Sequence, residues 1–275
     1  MKYGITHLSQ IALREEPNHK SQLVSQLLFG DAYEIEEEVD DWLKIKTLDF
    51  DYVGFIDKKL WNELHREDAA KYQSVDKYVV TDYLFFIKEF ETNITFSIFM
   101  GSSFPYPQDN MLILGNAIFI IELPEPRVLP KHPLLSEQQL ALIQFASGYL
   151  RAPYLWGGRT PAGLDCSALV QLAFKSVNIL LPRDASLQVN FGTQIDFAPE
   201  WQVGDVAFFD NEEGKIIHTG IICGKDKILH ASGFVRVDML DSTGIYNKEL
   251  EQYTHKLRIV KRICLSTATK FSCAL

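Results

Sequence analysis

Apolar and polar positions alternate in short runs through the N-terminal part of the chain. Ala32-Tyr33-Glu34-Ile35-Glu36 and Trp42-Leu43-Lys44-Ile45-Lys46 follow this pattern, and Tyr52-Val53-Gly54-Phe55-Ile56 comes after a turn. A period of two is that of half-buried strands. With Gly30-Asp31 and Asp40-Asp41 as turns between them, the spacing predicts a small β-barrel. A second set, Tyr78–Val80, Leu84–Ile87, Thr95–Ile98, Met111–Leu114 and Ala117–Ile120, predicts another barrel in tandem. The pattern stops between Leu123 and Pro133, where four of the eleven prolines fall. Such a run has few backbone donors and favours an extended linker. Helical spacing follows. Ser136 with Gln139 offers a capping box, ahead of Leu140, Ile143, Ser147 and Leu150, with Leu142, Ala146 and Tyr149 widening the apolar face. A second helix is predicted from Cys166 through Leu169, Val170, Leu172, Ala173 and Phe174 to about Val177, closed by Asn178. Strands return at Val206–Phe209, Ile216–Cys223, Ile228–His230, Val235–Val237 and Leu257–Ile263. Helices followed by an antiparallel sheet make an α+β domain.

At 275 residues, with 47% apolar and 23% charged residues, the chain has material for two or three small domains. The net charge of −9 argues against nucleic acid and anionic membrane as partners, since both need a basic footprint. Met1–Gln10 has one Lys and no apolar core, unlike a secretory signal. Met111–Leu123 is broken by Gly115, Asn116 and Glu122 and is too short to span a bilayer. The four cysteines, at 166, 223, 264 and 273, form no C-x-x-C pair and read as thiols in a reducing compartment. A cytoplasmic location is the expectation, unless a signal has been trimmed away.

Cys166 lies where a loop carrying Gly157, Gly158, Pro161 and Gly163 enters the second helix. A helix N-terminus carries about half a positive charge and unpaired N–H donors. Both stabilise a thiolate. A free thiol is only ~3% ionised at pH 7, and a helix N-terminus with a neighbouring imidazolium can pull its pKa to about 3.5–7.5. The same donors suit an oxyanion formed by attack on an amide. His218 is the one ionisable group in the apolar strand Ile216–Cys223, and a strand is a stiff support for a base. His230 follows twelve positions later and can orient it if a hairpin turns near Gly224. That is the Cys-His-polar arrangement of papain-like enzymes. Read as zinc ligands, the trio would need a fourth ligand or an open position with tight local spacing, and nothing resembles H-E-x-x-H. No metal or organic cofactor is expected. Cys223 and Cys264 read as core residues on apolar strands, and Cys273 falls in a C-terminal tail.

The blocks Tyr154-Leu155-Trp156-Gly157-Gly158, Leu164-Asp165-Cys166-Ser167, Leu181-Pro182-Arg183-Asp184, Gly204-Asp205-Val206, His218-Thr219-Gly220 and His230-Ala231-Ser232 resemble, in order, the NlpC-type cell-wall cysteine peptidases. The likeness covers about Ser136 to Ile263, nearly half of the chain. It implies a papain-like fold with Cys166 as nucleophile, His218 as base and His230 orienting it. Tyr154, Asp165, Ser167 and Asp184 fall on positions the family uses around the substrate, with Tyr154 placed to help at the oxyanion. Ala185 stands where close relatives often have Ser, so one contact there is in doubt. Ile11–Pro17, Ser21–Asp31, Asp41–Ile45 and Tyr52–Ile56 are similar to a bacterial SH3-like domain, with Gly54-Phe55 where Gly-Trp is common. More narrowly, they resemble the domain fused to γ-D-glutamyl-L-diamino acid endopeptidases. That likeness implies cleavage of L-Ala-γ-D-Glu from the diamino acid of short murein peptides. It also implies that Glu16 and Tyr52 hold the free amino group of L-Ala, although Glu16 also reads as a solvated turn charge and Tyr52 as a barrel aromatic. A buried ammonium needs such an anionic, hydrogen-bonding partner.

The organisation expected is thus an SH3-like barrel over residues 1–66, a second over 72–123, a Pro-rich linker over 124–135, a papain-like catalytic domain over 136–264 and a tail over 265–275. The alternatives are a secreted hydrolase of intact cell wall, a non-catalytic wall-peptide or Pro-rich-ligand binding module, and a papain-like acyltransferase.

Overall fold

The computed structural model describes residues 1–123 and 135–264, without the side chains of Leu135 and Ser136. The Pro-rich linker expected before Ser136, the capping box at Ser136 and Cys273 therefore lie outside the described residues. Packing divides the chain into two units, Met1–Val128 with Trp156–Pro161, and Leu129–Leu155 with Ala162–Leu275.

In the first unit, β1 (Lys2–Ile5), β2 (Gln10–Arg14), β3 (Leu23–Leu28), β4 (Ala32–Val39), β5 (Trp42–Thr47), β6 (Val53–Asp57) and β7 (Glu63–Leu64) form one antiparallel sheet in the order β3-β2-β6-β5-β4-β1-β7. The predicted alternation is the cause. Tyr33 and Ile35 of β4 and Leu43 and Ile45 of β5 share a buried cluster with Ile11, Leu13, Leu27 and Ile56, while the intervening glutamates and lysines face outward. Gly30, at φ +86°, turns β3 into β4, and a Cβ there would stand 1.8 Å from the Ser103 carbonyl oxygen.

A helix, α1 (Arg66–Ser74), follows; it buries only Ala69 and Tyr72, too sparse an apolar stripe to show in the sequence. Next come β8 (Lys77–Val79), β9 (Leu84–Glu89), β10 (Thr95–Phe99), β11 (Ser103–Pro105), β12 (Met111–Leu114) and β13 (Ala117–Ile120). They form a four-stranded sheet, β10-β9-β13-β12, and a ribbon, β11-β8. These strands share one core with the first set: Ile5, Phe29 and Leu64 pack among Phe85, Ile98, Phe104 and Phe119. The second set thus leans on the first, rather than standing as an independent barrel core.

The short strand β14 (Arg159–Thr160) also belongs to the first unit. Arg159 is fully buried there, donating to Asp31 Oδ2 at 2.8 Å and to the Gln26 carbonyl at 2.6 Å, with its guanidinium over Phe50.

The second unit contains α2 (Leu135–Ser147), β15 (Gly163–Leu164), α3 (Cys166–Lys175), α4 (Ala185–Gln188), β16 (Thr193–Gln194), β17 (Val206–Asp210), β18 (Ile216–Gly224), β19 (Lys227–Ser232), β20 (Phe234–Leu240), β21 (Gly244–Asn247) and β22 (Gln252–Arg262). Its antiparallel sheet runs β16-β22-β17-β18-β19-β20-β21, and β21 also pairs with β22, so the strands close on themselves. Every residue of α3 is buried. Asn178, at φ +63°, follows its last turn, and the Ile179 N–H reaches the Phe174 carbonyl. Cys223 is half-buried and Cys264 exposed, against the expectation that both are core; Cys264 lies beyond the last strand rather than within it. Among the described residues, no helix is long and apolar enough to cross a membrane.

Candidate active site

Asp165 caps α3: its Oδ1 accepts from the Ala168 N–H at 2.9 Å, satisfying a donor that the first turn leaves open. The same carboxylate receives both terminal nitrogens of Arg183, at 2.9 and 2.5 Å, and the Ser167 hydroxyl at 3.1 Å. Arg183 is 1% exposed and donates to Ser167 Oγ as well. Such a two-pronged pair fixes the helix start in direction as well as position. Cys166 is the first helical residue, and its sulfur accepts from the backbone N–H groups of Ser167 and Thr219. Thr219 adjoins His218 on β18, so the sulfur meets the strand beside the expected base.

The hairpin turns at Gly224, with β19 starting at Lys227 and Gly220 opposite His230. His218, two residues before Gly220, shares the face of His230. A Cβ on Gly220 would stand 2.8 Å from the His230 Cβ, so the glycine opens the diagonal across which the two rings meet. His218 Nε2 and His230 Nδ1 lie 2.8 Å apart, and His230 Nε2 is 3.0 Å from Asp238 Oδ2. Arg236 pairs with Asp238: a terminal nitrogen donates to Oδ1 at 3.0 Å, and the guanidinium charge lies 2.8 Å from Oδ2. From β22, His255 stacks on His218 with centroids 4.1 Å apart and planes 26° apart.

Burial, together with the nearby Asp165 charge, pushes the Cys166 thiol up to about 12 against the relief given by Thr219 N–H, Arg183 and Ser167 N–H. Burial and the neighbouring His255 and His230 hold His218 well below its usual 6.5. The expectation of a depressed thiol is thereby corrected: desolvation outweighs the helix N-terminus at this buried sulfur. Adding or removing a proton leaves a net charge in the pocket. Moving one from sulfur to imidazole does not, so the pair can pass it internally.

Tyr154 is half-buried, its phenol raised by burial and by the nearby Cys166 and Asp165. Asp184 precedes α4, its carbonyl accepting from the Leu187 and Gln188 N–H groups. Glu16 and Tyr52 stand in the first unit: Glu16 is exposed in a turn where its N–H reaches Ser21 Oγ, and Tyr52 packs against the barrel core. Three residues absent from the sequence expectation join the site: Arg183, Asp238 and His255. Asp238 and His255 sit on ordinary alternating strands, and only the register places them beside His230 and His218.

A cysteine at the start of a buried helix, faced by imidazoles from an antiparallel sheet, defines a papain-like cysteine peptidase domain. The chain matches the NlpC/P60 family model over residues 151–256 and the bacterial dipeptidyl-peptidase Sh3 domain over residues 13–59. It is 27% identical over 261 residues to Dipeptidyl-peptidase 6 of Lysinibacillus sphaericus, covering 86% of this chain and 92% of that one. It is 38% identical over 113 residues to the γ-D-glutamyl-L-lysine dipeptidyl-peptidase of Bacillus subtilis, covering 40% of this chain but only 38% of that protein. The crystal structure of an NlpC/P60 family protein from Bacillus cereus superposes with a TM-score of 0.76 at 18% identity, covering 94% of this chain and 99% of that one, which shows the shared fold.

Proposed function

We propose that this enzyme is a cysteine endopeptidase that hydrolyses the γ-D-glutamyl–diamino acid bond of short murein peptides bearing a free N-terminal L-Ala. The observation that carries the reading is the 2.8 Å contact between His218 Nε2 and His230 Nδ1, which leaves Nδ1 of His218 free of that pair and available as a base, on the strand whose next residue, Thr219, reaches Cys166. The relatives support the substrate class, one of them bearing the name γ-D-glutamyl-L-lysine dipeptidyl-peptidase. In this reading the Cys166 S–H proton passes to His218 Nδ1 as the sulfur attacks the γ-D-Glu carbonyl carbon. The oxyanion is met by N–H groups at the start of α3 and by the Tyr154 hydroxyl. On collapse, the C–N bond breaks and the imidazolium protonates the departing amine of the diamino acid. Water, deprotonated by His218, then cleaves the thioester and frees the carboxylate. Asp165 and Ser167 hold the helix start, and Asp184 borders the substrate. The SH3-like likeness assigns Glu16 and Tyr52 to the L-Ala ammonium, a role that would restrict the enzyme to peptides with a free N-terminus. A cytoplasmic role in recycling wall peptides fits that preference.

The test compares L-Ala-γ-D-Glu-diamino acid tripeptides, free and N-acetylated, carrying either lysine or diaminopimelate. The free peptide is expected to turn over with a kcat/KM at least ~100-fold above its acetylated form, matching the loss of a charge-assisted contact. Equal rates on both, or faster release of peptides from whole sacculi, would favour a wall-lytic hydrolase. Turnover by Cys166→Ala would overturn the peptidase assignment to this thiol.

A further inference from the structure

The hydrogen-bond chain behind His218 does not end at His230. Asp238 lies on β20 with its side chain 7% exposed, on the face of the sheet that carries His230. Burial alone would raise its carboxyl, but hydrogen bonds from His230 and Arg236 overcome this and hold it below the usual carboxylate range. An ionised carboxylate only accepts. Facing it at 3.0 Å, His230 Nε2 must carry the hydrogen. In the neutral ring that leaves His230 Nδ1 a bare acceptor, for which His218 Nε2, 2.8 Å away, is the donor. One lone pair of His218 remains, at Nδ1. The direction of every donor in this chain follows from the acceptor at its far end.

We propose that Asp238, anchored by Arg236, is a positioning residue that sets the tautomers of His230 and His218 and so keeps the basic nitrogen of His218 turned to Cys166. This inference rests on the peptidase reading above. When the thiol proton passes to His218 Nδ1, the S–H electron pair stays on sulfur. The imidazolium charge then finds His230 Nδ1 already placed as the acceptor for its Nε2–H. Arg236 fixes the carboxylate in turn, and Glu249 steadies its outer nitrogens at 3.3 Å.

Asp238→Asn is the informative change because it keeps shape and removes the obligate acceptor. Arg236 offers only hydrogens, so the amide oxygen turns to it and the NH2 group faces His230 Nε2. Each tautomer must then invert, leaving His218 with hydrogen on Nδ1, the wrong form to take a proton. The expected result is a kcat lowered about 100-fold or more with KM changed only a few-fold. Long-range nitrogen–proton NMR of the substrate-free enzyme should show His230 as the Nε2–H form in the wild type and the Nδ1–H form in the variant. An unchanged kcat with unchanged tautomers in Asp238→Asn would overturn the proposal. So would a wild-type His230 protonated on Nδ1, a measurement that needs no variant to fold. The NMR arm is independent of substrate, so an enzyme that cleaves some other peptide would defeat the substrate assignment and leave this one standing.

Discussion

The imidazole of His255 lies nearly flat on that of His218, with centroids 4.1 Å apart, and both rings meet Phe209. Burial and the nearby His230 bring His255 down to about 4, and His218 is held low as well. Both rings are therefore neutral in the folded protein at pH values where the unfolded chain, with His near 6.5, takes up protons. A lowered folded pKa gives stability that is present above 6.5 and is lost as pH falls toward the folded value. The urea midpoint should thus be flat above pH 7 and decline from pH 6.5 to 4. His255→Phe, which keeps a ring in the stack, should shallow that decline by one proton's worth. A midpoint equally steep in the variant would show that His255 does not carry the effect.

A second consequence concerns reactivity against pH. With Cys166 raised to about 12 and His218 lowered, the pair holds one proton throughout the interval in which a separate histidine at 6.5 and cysteine at 9.0 would each titrate. Alkylation of Cys166 by iodoacetamide should therefore climb without a plateau between pH 6.5 and 9, as the small thiolate fraction grows toward its midpoint near 12. A sigmoidal rise that levels off inside that interval would mean that the Cys166 thiol is not raised by its burial.

Gly220 has an ordinary backbone conformation, so the case for it is steric. A methyl group there would press on the His230 Cβ and on Ile228 Cδ1, each at 2.8 Å. The isoleucine end can rotate away; the histidine Cβ, fixed to its strand, cannot. Gly220→Ala is expected to cost about 1–3 kcal/mol in stability and on the order of 100-fold in kcat, since sub-ångström displacement of a base is enough. Kinetics at saturating substrate would check this, and a kcat within a factor of two of wild type would contradict it.

The strands of the first sheet were legible where side chains alternate, as in β4 and β5, and illegible where they do not. β3, Leu23–Leu28, presents four successive buried residues, a run that pattern alone cannot distinguish from part of a helix. Cys166 was legible because a glycine-bearing loop and an apolar run mark the start of α3 locally. Asp238 and His255 were not, because each becomes part of the site only through pairing with a distant strand: Ile228 opposite Asp238, and Ile245 opposite His255. Arg159 was hidden for a similar reason. Its partners, Asp31 and Gln26, are more than a hundred residues earlier, and a surface arginine looks the same in sequence as one with no solvent exposure. The direction of the Cys166 shift was also beyond the sequence, which marks the helix start but not the burial of the sulfur.

Asp165 and Arg183 allow a test in which the sign, rather than the size, decides. Asp165 raises the Cys166 thiol and Arg183 lowers it, both acting in a buried site. Removing the carboxylate in Asp165→Asn should therefore ease thiol ionisation, and removing the guanidinium in Arg183→Met should hinder it. Both variants break a buried ion pair and are expected to lose about 3–5 kcal/mol of stability, so the two cannot be told apart by unfolding alone. Titrating thiolate absorbance with Cys223, Cys264 and Cys273 replaced by serine isolates Cys166. Opposite displacements of its midpoint are the expected result. Displacements in the same direction would mean that loosening of the helix start governs the thiol, and that the two charges act on it only through structure.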